Sequence, residues 1–159
     1  MKIKILCVGK IKERFFTDAV SEYCKRMSKF SEVEIIEAAD EKTDEKASDA
    51  EREIVLSKEG ERLLKNIGDR DFVFILDIKG KKLCSEEFAL KIKETMVSGF
   101  NTLTFVIGGS LGLSDKVKAR GNYSLSFSDM TFPHQLMRVI LLEQIYRAFK
   151  INAGEPYHK

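Results

Sequence analysis

The sequence contains no uninterrupted apolar run of about 18 residues, the length that indicates a membrane-spanning helix. Its start, MKIKILCVGK, also lacks the long apolar segment and the small-residue cleavage site of a secretory signal peptide. In this stretch Lys2 and Lys4 alternate with Ile3 and Ile5, which is the period of a half-buried β-strand. We therefore expect a cytoplasmic protein with no membrane partner, whose first element is a strand.

Cysteine and histidine are scarce. The 3 cysteines are far apart, with no CxxC pair, and there are only 2 histidines, His134 and His158. An odd number of widely spaced cysteines indicates reduced thiols and argues against a disulfide framework. With so few soft ligands we expect no zinc or other structural metal site.

Two common nucleotide-binding fingerprints are also missing. A dinucleotide fold requires G-x-G-x-x-G after its first strand, and a phosphate-binding loop requires G-x-x-x-x-G-K-[ST]. The glycine cluster of this chain is FVIGGSLGL at 105–113, with the spacing G-G-x-x-G and a position two-thirds along the sequence. The pattern disfavours a dinucleotide or triphosphate cradle.

The remaining pattern predicts one α/β domain over residues 1–159. Hydrophobic residues make up 43% of the chain, enough for a core. Apolar runs or alternation predict strands at about 2–8, 33–38, 72–78, 102–107 and 123–128. Amphipathic stretches and capping signals predict helices at about 12–29, 48–68, 85–97, 115–119 and 135–151. Strands that alternate with helices indicate a mostly parallel sheet with helices on both faces.

Local signals fix several of these boundaries. Ser48 and Glu51 form a capping-box signature, and Ser85 is a candidate cap for the third helix. The sequence LDIKGK predicts a turn at Lys79-Gly80 after the third strand. Thr131 is a candidate cap for the last helix, and Pro133 suits its first turn.

Charge is unevenly distributed along the chain. Residues 32–62 hold 12 acidic and 5 basic side chains, whereas the rest of the chain holds 13 acidic and 22 basic ones. One interpretation is a solvated acidic helix beside an ordinary surface. The other is a basic face turned toward a polyanion, with the acidic segment turned away.

Three predicted strands end in unusual sequence: the third in LDIKGK, the fourth in the glycine cluster and the fifth in SFSDMTFPH. In an open α/β sheet, ligands bind outside the carboxyl ends of the strands. The three ends are therefore candidates for one pocket, with Gly108 and Gly109 allowing close approach of backbone to ligand. A tight strand-ending turn is the alternative.

The last helix has a wide apolar face: Leu141, Leu142, Ile145, Tyr146 and Phe149. Such a face suits both the domain core and a dimer interface. Arg138 falls in the middle of it, so its guanidinium either reaches water or points into the ligand pocket or at a phosphate. Beyond Gly154, Tyr157 and His158 belong to a tail that either frays or reaches a partner subunit's pocket.

Together, FVIGGSLGL, LSFSDMTFPHQLMRVILLEQIYRAFKI, the terminal PYHK and the opening KI-x-I-L-x-VGK resemble the RlmH (YbeA-like) family of SPOUT-class methyltransferases. The resemblance covers essentially the whole chain. It implies a C-terminal trefoil knot, which strand patterns would never predict. It also implies a homodimer with shared sites that uses S-adenosyl-L-methionine to methylate N3 of a pseudouridine in 23S ribosomal RNA within the assembled ribosome.

Carried over by position, the resemblance assigns cofactor contacts to the three strand ends: Leu76, Gly108, Phe127, Ser128, Asp129, Met130, Thr131 and Phe132. As a hypothesis about catalysis, His158 of the partner's tail accepts the imide proton. Arg138 then stabilises the developing anion or holds phosphate.

Three rival functions remain from the sequence. One is a non-catalytic ribosome-associated protein, and another is a SPOUT enzyme that acts on another RNA, such as transfer RNA. The third is an unrelated α/β enzyme that uses a nucleotide.

Overall fold

The computed structural model describes residues 1–157, which form five strands and five helices in strict alternation. The strands are β1 (Lys2–Val8), β2 (Glu32–Ala38), β3 (Phe72–Lys82), β4 (Thr102–Ile107) and β5 (Tyr123–Ser126). The helices are α1 (Arg14–Met27), α2 (Asp49–Leu64), α3 (Ser85–Val97), α4 (Asp115–Arg120) and α5 (His134–Asn152). The predicted order of elements is confirmed, with most ends within two residues of the prediction.

The strands form one sheet in the order β2-β1-β4-β3-β5, and all four pairings between them are parallel. All carboxyl ends therefore lie at the same edge, which we call the carboxyl edge; the opposite one is the amino edge. The predicted α/β class is confirmed, with a sheet that is entirely parallel. The knot stays a prediction of the resemblance.

Helices cover both faces of the sheet, because successive strand residues point to opposite sides. On one face, Ile5 and Phe105 belong to a large cluster with residues of α1, α3 and α5. On the other, Leu6 and Val106 belong to a smaller cluster with residues of α2 and α4. Strands buried on both sides explain the nearly continuous apolar runs of β3 and β4.

The predicted turn at Lys79-Gly80 is wrong. β3 continues to Lys82 along β5, with a register irregularity between Leu76 and Lys81. A Cβ at Gly80 would lie 2.7 Å from the carbonyl carbon of Leu125, so glycine at this position permits the close approach of the two strands. The glycine marks a bulged strand instead of a turn.

Two predicted helix caps are also corrected. The capping box of Ser48 and Glu51 is confirmed, with Ser48 N donating to Glu51 Oε2 at 2.7 Å. In α3 the N-cap is Cys84, and the Ser85 hydroxyl donates instead to Gln144 Oε1 at 2.8 Å. In α5 the N-cap is Pro133 with no side-chain cap, because Thr131 lies two residues further out, in the loop.

The end of α5 follows the sequence signal. Gly154 has a φ of 66°, and the N–H groups of Gly154 and Glu155 donate to the carbonyls of Ile151 and Lys150. This is a Schellman motif, which satisfies carbonyls that the helix leaves unpaired. Across residues 1–157, no helix has the length and apolarity that crossing a bilayer would require.

Candidate functional site

A cavity of about 250 Å³ opens at the carboxyl edge, where the ends of β3, β4 and β5 meet. Its walls come from β3, the loop after β4, the segment from β5 to α5, and the first turn of α5. The lining residues are Leu76, Asp77, Ile78, Ile107, Gly108, Gly109, Ser110, Gly112, Leu125, Ser126, Phe127, Ser128, Met130, Thr131, Phe132, His134 and Met137. The prediction that three strand ends form one pocket is confirmed in its geometry.

Seven of the eight predicted cofactor contacts line this cavity: Leu76, Gly108, Phe127, Ser128, Met130, Thr131 and Phe132. Asp129 is not among the lining residues, and its carboxylate forms an ion pair with Lys82, near the end of β3. Both side chains of this pair are exposed, so it holds the loop against β3 only weakly. Cofactor binding by the seven stays a prediction.

The glycine cluster forms a tight loop that packs against itself. Gly112 has a φ of 87° and its N–H donates to Gly109 O at 3.0 Å, which closes the turn. A Cβ at Gly108 would lie 2.5 Å from Gly112 O. The loop is thus both a strand-ending turn and a wall of the cavity. Position 108 must be glycine because a Cβ there would clash with the loop's own backbone.

The loop from Phe127 to Phe132 is shaped by its serines. Ser126 Oγ donates to Ser128 O at 3.2 Å, and Met130 N donates to Ser128 Oγ at 2.9 Å. Met130 is 74% exposed even though it lines the cavity. These bonds leave an apolar side chain at the rim, positioned to cover a ligand.

Two titratable side chains, Asp77 and His134, line the cavity. Asp77 Oδ2 lies 2.8 Å from Lys118 Nζ, and this ion pair holds the pKa of Asp77 below its ordinary value. Burial, together with the positive charge of Arg138, lowers the pKa of His134 below 6.5. At neutral pH the cavity therefore presents one carboxylate, already paired, and one uncharged imidazole.

Arg138 is buried, with 1% exposure, so the expectation that it reaches water is wrong. It is also not among the residues that line the cavity. Its Nη1 donates to Glu37 Oε1 at 2.6 Å, and its Nη2 donates to Gly9 O at 2.7 Å and Val8 O at 3.2 Å. Arg138 therefore ties α5 to the ends of β1 and β2, behind the cavity.

That arrangement explains how a buried guanidinium is tolerated. Glu37 supplies the countercharge, and the two carbonyls satisfy further donors. Only its Nε lacks a hydrogen-bond partner among residues 1–157. A direct chemical role for Arg138 stays a prediction, but its geometry is that of a residue that positions other groups.

The tail folds back onto α5 as far as Tyr157. Its ring contacts Tyr146, with 5.0 Å between centroids, and the Arg147 guanidinium lies 4.7 Å from the Tyr157 ring centre. The hydroxyl donates to Glu143 Oε1 at 3.4 Å. Tyr157 is therefore packed, contrary to a freely fraying tail, whereas His158 lies outside the described residues.

Sequence reasoning missed other lining residues, above all His134 and Asp77. His134 is the first residue of α5 and lies two positions after the predicted run 127–132, in the sequence FPH, so its position was the available signal. Asp77 was hidden inside the apolar run FVFILDI, where a polar residue next to a strand end was a second signal.

The comparisons with known proteins bear on the family of the chain. Residues 1–158 match the family model described as "Predicted SPOUT methyltransferase". Relatives from the Streptococcus pneumoniae strains CGSP14, ATCC 700669 and 70585 are each 57% identical over 159 residues and cover 100% of both chains. Each is named "Ribosomal RNA large subunit methyltransferase H".

The fold has a counterpart among solved structures. A structure described as a probable methylase family protein from Haemophilus influenzae Rd KW20 aligns with a TM-score of 0.53 and 14% identity. The alignment covers 99% of this chain and 70% of that one, which supports the fold alone. With the family model and the full-length relatives, the resemblance seen in the motifs is confirmed: the chain belongs to the SPOUT methyltransferase family.

Proposed function

We propose that the protein transfers a methyl group from S-adenosyl-L-methionine to N3 of a pseudouridine in 23S ribosomal RNA, acting on the assembled ribosome in the cytoplasm. The observation that carries this proposal is the cavity at the carboxyl edge, where seven positions expected to contact the donor converge. Full-length relatives named as ribosomal RNA methyltransferases support the class of substrate. The pseudouridine and its N3 atom rest on the resemblance.

The lining of the cavity fits S-adenosyl-L-methionine. Leu76, Phe127 and Phe132 offer apolar surface for a nucleobase, and Ser110 and Thr131 offer hydroxyl groups for ribose or amino-acid atoms. Its volume of about 250 Å³ lies just below the usual range for ligand sites, ~300–1,000 Å³. A donor held there would remain partly accessible, as transfer to a large RNA requires.

When bound, the donor supplies an electrophilic methyl group on a sulfonium. The residues of the chain hold and align the two reactants, and alignment of this kind is worth about 7–11 kcal/mol of the barrier. Apolar side chains of the cavity, such as Leu76 and Phe132, reduce the access of water to the bound donor. His158 from a partner subunit accepts the N3 proton in this proposal.

We also propose, from the resemblance, that the protein is a homodimer in which the 159 residues of each chain form one knotted domain. The outward side of α5 carries Leu136, Val139, Ile140 and Tyr146, which are only partly buried in the single chain. Packing α5 against a second copy would cover this surface and bring the partner's tail toward the cavity. Sedimentation analysis tests the oligomeric state directly.

For Arg138 we propose a positioning role in place of anion stabilisation. The guanidinium is engaged by Glu37 and the carbonyls of Val8 and Gly9, and contact with substrate would require those bonds to break. By fixing the start of α5, Arg138 also fixes His134, one turn earlier, at the cavity wall.

The test is incubation of the protein with labelled donor and either assembled ribosomes or separated 23S RNA, followed by mapping of the modified base. We expect one methylated pseudouridine, formed on ribosomes and dependent on the donor. A different modified base would overturn the substrate assignment. Unchanged methylation after deletion of Tyr157 to Lys159 would remove the tail from the mechanism.

The alternative of a non-catalytic ribosome-associated protein is separated by calorimetry. The proposed enzyme binds the donor with one site per chain, whereas a protein that has only kept the fold does not. Absence of donor binding in a correctly folded sample would favour the alternative.

A further inference from the structure

The segment Gly9–Arg14, which we call the cationic loop, comprises the connection from β1 to α1 and the first residue of α1, and lies beside the cavity. Cys7 at the end of β1 pairs with Ile107 of β4, and Ile107 lines the cavity. On the same side, a Cβ at Gly109 would lie 3.0 Å from Val8 Cγ1. The cationic loop thus starts one strand away from the cavity wall.

Three side chains from other elements hold the backbone of the cationic loop. Arg138 donates to Gly9 O at 2.7 Å, and Glu37 Oε1 accepts from Ile11 N at 3.0 Å. Gln135 Oε1 accepts from Lys12 N at 2.8 Å and from Glu13 N at 3.3 Å. Since Gln135 directly follows His134, which lines the cavity, the loop and the cavity share one rigid support.

The side chains of the loop remain exposed and carry net positive charge. Lys10 and Lys12 are exposed, and neither makes an ion pair within the part of the chain that the structure describes. The Arg14 side chain is 94% exposed and lies 3.7 Å from Asp18. Glu13 is the one acid within the loop itself.

Other acids lie close to the loop, and one of them, Glu37, accepts from Ile11 N and pairs with Arg138 of α5. Asp40, after β2, lies against Gly9, at 3.9 Å from the position of a Cβ there. Lys10 and Lys12 come after Gly9 in the chain, and Gln135 of α5 accepts a hydrogen bond from the backbone N–H of Lys12. Fixed backbone with free ammonium groups suits a partner that brings its own negative charges at defined positions.

We propose that Lys10 and Lys12 of the cationic loop bind backbone phosphates of the RNA whose target base enters the cavity. The proposal rests on the proposed function for the identity of the RNA. Contacts of this kind set the position of the RNA without reading its sequence. Each phosphate neutralised by a lysine releases counterions, so the contacts have a measurable dependence on salt.

The test compares two double variants with equal loss of charge. Lys10→Ala/Lys12→Ala removes the cations of the loop, and Lys25→Ala/Lys29→Ala removes two exposed lysines near the other end of α1, at the amino edge. Association with assembled ribosomes is measured between about 50 and 200 mM salt. Donor affinity and urea unfolding are measured in parallel.

We expect the slope of log K against log salt to fall by about 1 for each loop lysine, and to stay unchanged in the amino-edge variant. Methylation by the loop variant should show a raised KM for ribosomes with kcat retained. Lys10→Arg/Lys12→Arg should restore the slope. Equal losses in both double variants, or no loss in either, would overturn the proposal.

Failure of the proposed function gives a different pattern. If the wild-type protein neither binds the donor nor methylates ribosomes, the enzyme assignment is lost. A selective fall in the salt slope of the loop variant would then still support an RNA-phosphate contact at this loop.

Discussion

The two edges of the sheet use charged residues in opposite ways. At the amino edge, the buried Asp71 carboxylate accepts three hydrogen bonds: from Lys4 Nζ at 3.0 Å, from Thr104 Oγ1 at 2.8 Å and from Gly68 N at 3.0 Å. At the carboxyl edge, the buried Arg138 and the more exposed Glu37 hold the backbone of the cationic loop, whose lysine side chains are exposed. Charged residues therefore stabilise the fold at the amino edge, and they position backbone beside the candidate site at the carboxyl edge.

The largest expected effect comes from breaking the carboxyl-edge pair. Arg138→Met removes the ion pair with Glu37 and the donor to the carbonyls of Val8 and Gly9, and should lower the free energy of unfolding by about 3 kcal/mol, because two carbonyls lose a donor at once. Urea unfolding at constant m-value measures it. The control Arg26→Met removes an exposed ion pair with Glu22 and should change the free energy of unfolding much less. Equal costs would contradict the assigned role of Arg138.

At the amino edge, Asp71→Asn should cost about 1–3 kcal/mol and leave donor affinity unchanged. Burial acts against its charge, but the bonds from Lys4, Thr104 and Gly68 outweigh it and hold the pKa of Asp71 below 3.8. The unfolded chain therefore binds more protons below that pH, so stability is lost as pH falls from 3.8 through the folded-state pKa. The variant should lack this part of the acid dependence; an unchanged acid profile would argue against the network.

The contrast between the edges shows where sequence patterns succeed. FVFILDI and TLTFVI read correctly as buried strands because an apolar run of that length suits a strand covered on both faces. Parallel order then places strand ends together, so a pocket followed from topology. The identity of the residues lining it, Leu76 and Phe127 among them, came from the resemblance.

The sequence-based predictions that were wrong or missing concern residues whose contacts are made with distant parts of the chain. Arg138 pairs with Glu37, 101 residues away, and no local pattern encodes that partner. The sequence predicted a turn at Gly80, whereas glycine is needed there because the backbone of β5 lies too close for a Cβ. His134 was not predicted to line the cavity, because a single histidine at the start of a helix has no periodic signature.

A smaller effect is expected in the loop that covers the cavity. Ser128→Ala removes the acceptor for Met130 N and should weaken donor binding by about 0.5–1.5 kcal/mol, with little change in folding. Calorimetry provides the measurement. Ser98→Ala, which removes a hydroxyl bonded to Glu94 O at the end of α3, is the matched control and should leave donor binding unaltered. If both variants bind the donor like the wild type, Ser128 does not shape the site.

The smallest effect is the titration of His134. Burial and the charge of Arg138 lower the pKa of His134, so its imidazole should titrate below 6.5 in nuclear magnetic resonance spectra. Because the unfolded chain then binds more protons than the folded one, stability should fall slightly as pH drops from 6.5 toward the folded-state pKa. A titration midpoint above 6.5 would mean that His134 faces water or a carboxylate instead.

The most direct test of the central claim uses the 5 methionines as probes. Met130 and Met137 line the cavity, whereas Met27 is the buried last residue of α1 and Met96 lies near the end of α3. With carbon-13 methyl labels, titration with S-adenosyl-L-methionine should shift the Met130 and Met137 signals saturably and leave Met27 and Met96 in place. Shifts confined to Met96, or none at saturating donor, would contradict a donor site at the carboxyl edge.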